Sequence, residues 1–142
     1  MRTIKDVKKI HFNAFTDSDV GWGTLVPLEL SKNLPFEPKR IFYVYSVDNK
    51  NKRGLHSHYK TEQVLICLHG SCGVVCKDGE SELSVLLDSP STGLYIPEMI
   101  WDEQVYMSDD TVLLVIANTN YDTKDYINDY EEFLTLKANE RN

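Results

Sequence analysis

Two of the four histidines stand one residue apart in the stretch "RGLHSHYKTEQ", residues 53–63. Alternate side chains of a β-strand point to the same face of the sheet, so His56 and His58 would stand side by side on a strand. A pair of imidazoles on one face can bind a metal ion, transfer protons, or lie on the surface without a role. The spacing alone leaves all three interpretations open.

The metal interpretation depends on the number of ligands. His56, His58 and Glu62 have the spacing of three ligands in a jelly-roll metal site, and a fourth ligand is expected near "YIPEMIWDE", residues 95–103. That stretch contains Asp102 but no histidine. Two histidines and two carboxylates would form an unusually acidic set for a catalytic transition metal. The ligand count therefore predicts a site without metal.

The acid–base interpretation needs groups that gain and lose protons near neutral pH. An imidazole with an ordinary pKa does so, and two neighbouring imidazoles could serve two adjacent atoms of a small substrate. A third polar group could come from "RIFYVYSV", residues 40–47, where Tyr43 shares a strand face with Ile41 and Tyr45. The sequence thus offers His56, His58 and Tyr43 as candidate catalytic residues.

Length and composition restrict the class of protein. The chain has 142 residues, a formal net charge of -7 and 42% hydrophobic residues, which fits one ordinary globular domain and disfavours a nucleic-acid-binding face. No apolar run approaches the ~20 residues of a membrane-spanning helix. The first residues lack the apolar run of a secretory signal, and the three cysteines then predict reduced thiols in the cytoplasm.

The centre of the chain reads as short strands separated by turns. Aromatic and β-branched runs alternate with Gly, Pro, Asn and Asp, and Asp78-Gly79 predicts a tight hairpin. This pattern predicts an all-β fold, a sandwich or small jelly-roll β-barrel. The apolar run "VLICL", residues 64–68, does not alternate, so it should be covered on both faces, by the other sheet and by a partner subunit.

The last segment changes its periodicity. In "DTKDYINDYEEFLTLKANE", Ile127, Tyr130 and Leu134 lie at helical spacing, which predicts a C-terminal α-helix capped by Asp122 or Thr123. Near the N-terminus, "GWGTLVPLEL" predicts another strand, with Gly21 and Gly23 at its turn.

The stretch "RGLHSHYKTEQVLICLHGSCGV" resembles the signature of the cupin-type sugar 3,4-ketoisomerases, which act on dTDP-4-keto-6-deoxyglucose. That family carries an Arg-Gly-x-His-Ala-His run, then Glu-Gln and an apolar strand that ends in Gly-Ser; here Ser57 replaces the alanine. The resemblance continues through "PFEPKRIFYVYSV", "LDSPSTGLYIPEMIW" and "YDTKDYINDYEEF". It covers nearly the whole chain in order.

The resemblance implies a small jelly-roll enzyme that is a homodimer with exchanged N-terminal strands and works without metal or redox cofactor. It implies that His56 and His58 are the catalytic pair, that Tyr43 is a site tyrosine and that Arg53 holds the diphosphate of the dTDP-sugar. We assign the base at carbon 3 to His58. We also place Lys60 and Gln63, from the same segment, among the substrate-binding residues.

Two positions depart from the family pattern. Trp22 stands where family members carry arginine or tyrosine, and Asp102 stands where they carry histidine or arginine, at places associated with the configuration of carbon 4 in the product. Trp101 either stacks on thymine or the sugar or is a core residue.

Two alternatives to the ketoisomerase function remain: a 3,5-epimerase of the same nucleotide sugars, and a sugar-binding cupin without activity.

Overall fold

In a computed structural model of the chain, residues 1–16, 21–30, 32–48 and 51–142 are described. The twelve strands are β1 Lys8–His11, β2 Phe15–Thr16, β3 Thr24–Leu25, β4 Arg40–Val44, β5 Lys52–His58, β6 Gln63–His69, β7 Cys72–Lys77, β8 Glu82–Leu87, β9 Thr92–Ile96, β10 Trp101–Tyr106, β11 Val112–Ala117 and β12 Tyr126–Ile127. Two short 3₁₀ turns, Ile4–Asp6 and Thr123–Asp125, and one α-helix, α1, Tyr130–Arg141, complete the described elements.

The strands form two five-stranded antiparallel sheets, in the orders β1-β9-β6-β11-β4 and β12-β5-β10-β7-β8. Apolar residues from both sheets pack into one shared core, which includes Leu65, Val74, Leu94, Tyr106 and Leu113. The predicted all-β jelly-roll with a C-terminal helix is confirmed. The hairpin at Asp78-Gly79 is also confirmed, since it joins β7 to β8.

Strand β6 is covered on both faces, as its continuous apolar run predicts. Leu65 packs in the core between the sheets, whereas Val64 and Ile66 point outward and are nevertheless fully buried. Their cover is Phe12 and a set of residues from the same N-terminal part of the chain, namely Val26, Leu28, Leu34 and Phe36. The chain's own N-terminal segment therefore supplies this cover, where we had expected the partner subunit.

The C-terminal helix begins later than its periodicity predicts. Its N-cap is Asp129, whose carboxylate accepts a hydrogen bond from the Glu132 backbone N–H at 2.8 Å. The predicted cap Asp122 instead caps the 3₁₀ turn, and Ile127 lies in β12, paired with Ser57 of β5. The prediction of a continuous helix from residue 122 is wrong because two local caps divide the segment.

No helix in the described part of the chain is long and apolar enough to cross a membrane.

The strand predicted in "GWGTLVPLEL" is reduced to the two residues of β3. Gly21 and Gly23 lie at the adjoining turn with φ of 72° and 82°, which is left-handed backbone that glycine adopts without steric cost. β2 and β3 form a small separate hairpin in which Phe15 and Leu25 are exposed.

Candidate active site

A cavity of about 500 Å³ lies where β4, β5 and the segment before α1 meet. Three residues that the sequence assigns to the site line it: His56, Arg53 and Gln63. The remaining lining residues are Phe42, Lys52, Gly54, Tyr121, Thr123, Tyr126 and Asn128. The cavity thus brings an imidazole, two cations and several hydrogen-bonding side chains around one space.

The backbone of β5 is irregular just before the histidines. Gly54 and Leu55 have φ of 78° and 56°, and the pairing with β10 shifts register between Asp102 and Glu103. A side chain at position 54 would place its Cβ 3.0 Å from the Asp102 carbonyl oxygen, so a glycine is needed there. This bulge sets His56 directly opposite Asp102.

His56 forms part of the cavity wall, with its side chain 19% exposed. Its Nδ1 lies 2.9 Å from the Gly54 carbonyl oxygen, which can only accept, so Nδ1 carries the proton of this hydrogen bond. Its Nε2 lies 3.8 Å from Oδ1 of Asp102, which is too long for a hydrogen bond. Nε2 is therefore the ring nitrogen available for proton transfer.

His58 lies behind His56 and is 5% exposed. Burial, and then the charge of His56, lower the pKa of His58 from 6.5 to about 3. Its Nε2 is buried without a hydrogen-bond partner among the described residues. His58 is consequently a neutral imidazole at physiological pH. The assignment of the base to His58 stays a prediction, but it is His56 that lines the cavity.

Tyr126 contacts both histidines, and the sequence prediction missed it. Its ring centroid lies 5.3 Å from that of His56 and 4.5 Å from that of His58. The residue is fixed by the pairing of β12 with β5, in which Tyr126 faces His58. Asp125 anchors the preceding turn by accepting hydrogen bonds from the backbone N–H groups of Lys60 and Thr61, at 2.8 and 3.1 Å.

A buried row of polar side chains extends from His56 along the inner face of β10. Asp102 is 2% exposed, and its Oδ2 accepts a hydrogen bond from Nε2 of Gln104 at 3.0 Å. The Gln104 carbonyl in turn accepts from the Tyr106 hydroxyl at 3.1 Å. Burial raises the pKa of the Asp102 carboxyl, and the attraction of His56 and the bond from Gln104 oppose this shift.

Tyr43 is not brought to the cavity. It lies with Ile41 on the outer face of β4, next to the exposed Tyr45 that follows the strand, and is 65% exposed, whereas Phe42 of the opposite face lines the cavity. Within the chain, the third polar group beside the histidines is therefore Tyr126. Tyr43 keeps its predicted role only as a hypothesis.

Trp22 and Trp101 also lie away from this cavity. Trp22 is 82% exposed next to the β2–β3 hairpin. Trp101 is buried, with its ring 5.0 Å from that of Tyr130 and 5.8 Å from that of Phe133 of α1. Of the two roles considered for Trp101, its place in the structure is that of a core residue that docks the helix.

A second cavity, of about 690 Å³, adjoins the first and shares Tyr121 with it. Lys60, predicted to bind substrate, lines this second cavity together with Lys124 and Tyr59. The guanidinium of Arg40, which lines neither cavity, lies 5.7 Å from the ring centre of Tyr121, within the range of a cation–π contact.

Glu62, the carboxylate of the hypothetical metal set, is engaged elsewhere. It accepts hydrogen bonds from the Tyr95 hydroxyl and from Nδ2 of Asn118, the latter at 2.7 Å. Over the described ranges, no group of three or more His, Cys, Asp or Glu side chains is arranged to hold a metal ion.

The chain is similar to known sugar ketoisomerases over nearly its full length. Residues 5–138 match the family model described as FdtA: WxcM-like, C-terminal. A TDP-4-oxo-6-deoxy-alpha-D-glucose-3,4-oxoisomerase from Aneurinibacillus thermoaerophilus is 43% identical over 126 residues, which is 89% of this chain and 88% of that protein.

Two solved structures have the same fold. A 3,4-ketoisomerase from Helicobacter canadensis is 41% identical, with a TM-score of 0.88 over 94% of this chain and 98% of that one. A variant of the 3,4-ketoisomerase QdtA from Thermoanaerobacterium thermosaccharolyticum, in complex with TDP-4-keto-6-deoxyglucose, is 37% identical, with a TM-score of 0.89 over 94% and 95% of the two chains.

Proposed function

Because the chain belongs to the FdtA family of WxcM-like, C-terminal domains, we propose that it is a sugar 3,4-ketoisomerase acting on TDP-4-keto-6-deoxyglucose. It moves the keto group from carbon 4 to carbon 3, and the product is a 3-keto sugar suited to later transamination at carbon 3. The observation that carries this proposal is the position of His56 in the His-x-His pair, with Nε2 available at a cavity large enough for a sugar.

The reaction is an internal proton transfer. The ketone at carbon 4 acidifies the hydrogen on carbon 3; a base removes this proton, and the electrons of the C3–H bond form an enediolate between carbons 3 and 4. The proton on the oxygen of carbon 3 is transferred to the oxygen of carbon 4, and a proton added to carbon 4 then leaves a ketone at carbon 3 and a hydroxyl at carbon 4. Substrate and product are isomers, so the chemistry needs a base, a proton donor and stabilisation of the oxygens, without a redox cofactor.

We assign the base to His56, the reverse of the order first drawn from the sequence. Its Nδ1 is engaged by the Gly54 carbonyl, so Nε2 accepts the proton from carbon 3 and returns it to carbon 4. His58, whose low pKa keeps it neutral, supports the His56 ring with edge-to-face contact at 4.8 Å. Tyr126 supplies a phenol at the same wall to serve the substrate oxygens.

The charges around the first cavity fit a nucleoside diphosphate. The chain has a net charge of -7, yet Lys52 and Arg53 line the first cavity with no carboxylate among its described lining residues, whereas in the second cavity Lys60 and Lys124 lie beside Asp122 and Asp125. Cations gathered locally on an acidic protein favour an anionic ligand at that place. We assign the sugar to the cavity of His56 and Gln63, and the diphosphate to Lys52 and Arg53, with Lys60 of the adjoining cavity as a further substrate-binding residue.

We further propose a homodimer in which N-terminal segments are exchanged, as the family resemblance implies, so that the partner's segment takes the place on β6 that the chain's own segment occupies here. The outer face of the edge strand β4 exposes Ile41 and Tyr43, Tyr45 just after the strand is also exposed, and the β2–β3 hairpin exposes Phe15 and Leu25. Large apolar side chains exposed together are typical of a surface that a partner covers. A cytoplasmic location belongs to the same proposal and agrees with the three free, buried cysteines.

Proton NMR of the purified protein with TDP-4-keto-6-deoxyglucose in deuterated buffer tests the activity. We expect a 3-keto product in which carbon 4 carries hydrogen or deuterium and carbon 5 keeps its hydrogen. Deuterium at carbons 3 and 5 with the ketone still at carbon 4 would indicate a 3,5-epimerase. Saturable binding of TDP without any isotope exchange would indicate a sugar-binding module. The His56→Asn variant serves as the inactive control.

A further inference from the structure

We propose that Asp102 is the positioning residue of His56, acting from behind the cavity wall to stabilise the imidazolium that forms when carbon 3 loses its proton. This inference rests on the proposed function, in which His56 Nε2 is the proton carrier. Asp102 is not among the residues that line the cavity, so it acts through His56 rather than on the substrate.

The first step is the geometry at Nε2. Because Nδ1 donates to the Gly54 carbonyl, the charge that His56 gains appears with the proton at Nε2. Oδ1 of Asp102 is 3.8 Å from that atom. The distance is too long for a hydrogen bond, so the lone pair of Nε2 stays free for the substrate. It is short enough for strong attraction once the ring is charged, because both groups are largely removed from water.

The second step is that Asp102 is held in place. Its Oδ2 accepts from Gln104, which accepts from the fully buried Tyr106 hydroxyl, so the row is anchored deep in the core and leaves Oδ1 directed at the histidine. A buried carboxylate carries a large desolvation cost, and a single neutral hydrogen bond offsets it incompletely. The positive charge that appears on His56 during the reaction offsets the remaining desolvation cost of the Asp102 carboxylate.

The third step concerns the other ionisable groups around Asp102. From β7, Cys76 is paired with Asp102, and Cys72 lies further along the strand opposite Tyr106; burial raises the pKa of both thiols, so they stay uncharged. Glu103, next along β10, forms ion pairs with Lys77 at 2.8 Å and with Lys52 at 3.4 Å. From β5, His56 faces Asp102 directly. Among the described residues packed against Asp102, His56 is thus the group on which the proposed proton transfer places a charge.

The test compares two variants that each remove one negative charge from β10. Asp102→Asn keeps the shape and the bond to Gln104 but removes the charge, and we expect kcat to fall by about 10²-fold with little change in KM. The acid limb of its pH–rate profile should move to lower pH, because an uncharged amide does not help His56 to hold its proton. Glu103→Gln, which also releases Lys52 and Lys77, should leave kcat and the midpoint of the profile close to those of wild type, and any effect should appear in KM through Lys52.

A second measurement is independent of turnover. In protein labelled with ¹⁵N-histidine, NMR follows protonation of the His56 ring, and its midpoint should be lower in Asp102→Asn than in wild type and Glu103→Gln. Tyr106→Phe, which releases the far end of the row, should give a smaller shift in the same direction. Equal NMR midpoints and pH profiles in wild type, Asp102→Asn and Tyr106→Phe would overturn the inference. A wild-type protein that does not isomerise the sugar would refute the proposed function. The NMR titration would still show whether Asp102 interacts with the His56 imidazolium.

Discussion

The rings of His56 and His58 meet edge to face at 79° with their centroids 4.8 Å apart, yet the two residues occupy different environments. His56 stands at the cavity with one nitrogen available, whereas His58 is enclosed and its pKa is lowered to about 3. Two histidines that look equivalent in the sequence therefore have separate chemical properties, because one of them has lost its contact with water.

This asymmetry predicts unequal effects on catalysis. His56→Asn should reduce turnover by roughly 10²- to 10⁴-fold, the usual range for a general base. His58→Asn should reduce it less, since it removes a ring contact rather than the proton acceptor. Initial rates measured by NMR on both variants, with circular dichroism to verify folding, provide the comparison. A larger loss in His58→Asn than in His56→Asn would return the base to His58.

The same burial predicts a dependence of stability on pH. A histidine whose pKa falls from 6.5 to about 3 on folding binds a proton in the unfolded chain but not in the folded one between those values. The stability that depends on a neutral His58 is therefore fully present above pH 6.5. As the pH falls from 6.5 towards 3, the free energy of unfolding decreases by about 1 kcal/mol per pH unit.

Urea unfolding at pH 7, 6, 5.5 and 5 measures this effect as the difference between wild type and His58→Asn. The difference isolates His58, because the raised pKa of Asp102 acts on stability in the opposite direction and is common to both proteins. Wild type should lose stability relative to the variant at each step down in pH. Parallel curves for the two proteins would mean that His58 titrates normally in the folded state.

Tyrosine substitutions separate the predicted site tyrosine from the observed one. Tyr126→Phe keeps the ring against both histidines but removes the hydroxyl, and we expect kcat to fall by about 10-fold or more, since a polar group at the substrate oxygens is lost. Tyr43→Phe is the matched control, because Tyr43 is 65% exposed on the outer face of β4.

The measurement is the steady-state kcat of these two variants relative to wild type. Light scattering verifies that each variant is dimeric. If Tyr43→Phe is impaired while Tyr126→Phe is not, then Tyr43 reaches a site in the assembled dimer and the role assigned to Tyr126 is wrong.

The sequence predicted the parts of the site that depend on local periodicity. The one-residue spacing of His56 and His58 placed both on one strand, and the unbroken apolar run of β6 predicted its burial on both faces. It did not predict which face of β4 points inward, because residues 40–47 carry aromatic side chains on both faces. Tyr43 was assigned to the site on this ambiguous pattern and on the family resemblance, whereas the residue of β4 that lines the cavity is Phe42.

Residues that depend on pairing between distant strands were harder to find. Tyr126 reaches the histidines only because β12 pairs with β5, about seventy residues earlier in the chain, and the helical spacing of its neighbours concealed that strand. Asp102 meets His56 through the register of β10 against β5, which a bulge shifts. Neither register is encoded in a short stretch, so the sequence supplied Asp102 as a candidate without its partner.

The last prediction concerns the configuration of carbon 4 in the product, for which the resemblance singled out Trp22 and Asp102. Asp102 contacts His56 and can influence the face of the enediolate that receives the proton. Trp22 is 82% exposed near the β2–β3 hairpin, so it can take part only if this hairpin reaches the cavity of a partner subunit.

The test of this prediction therefore compares four proteins: wild type, Asp102→His, Trp22→Arg and the double variant. We expect a mainly galacto-configured product from wild type and a changed galacto-to-gluco ratio from Asp102→His and from the double variant, even where turnover is reduced, because histidine can donate a hydrogen bond that ionised aspartate cannot. Trapping the 3-keto sugar with a 3-aminotransferase and reading the NMR coupling constants at carbon 4 gives the ratio.

A changed ratio in Trp22→Arg alone would support strand exchange in the dimer, since within one chain Trp22 does not line the cavity. An unchanged ratio in an active double variant would mean that neither position sets the configuration, and the residues around Phe42 and Tyr126 would be changed next.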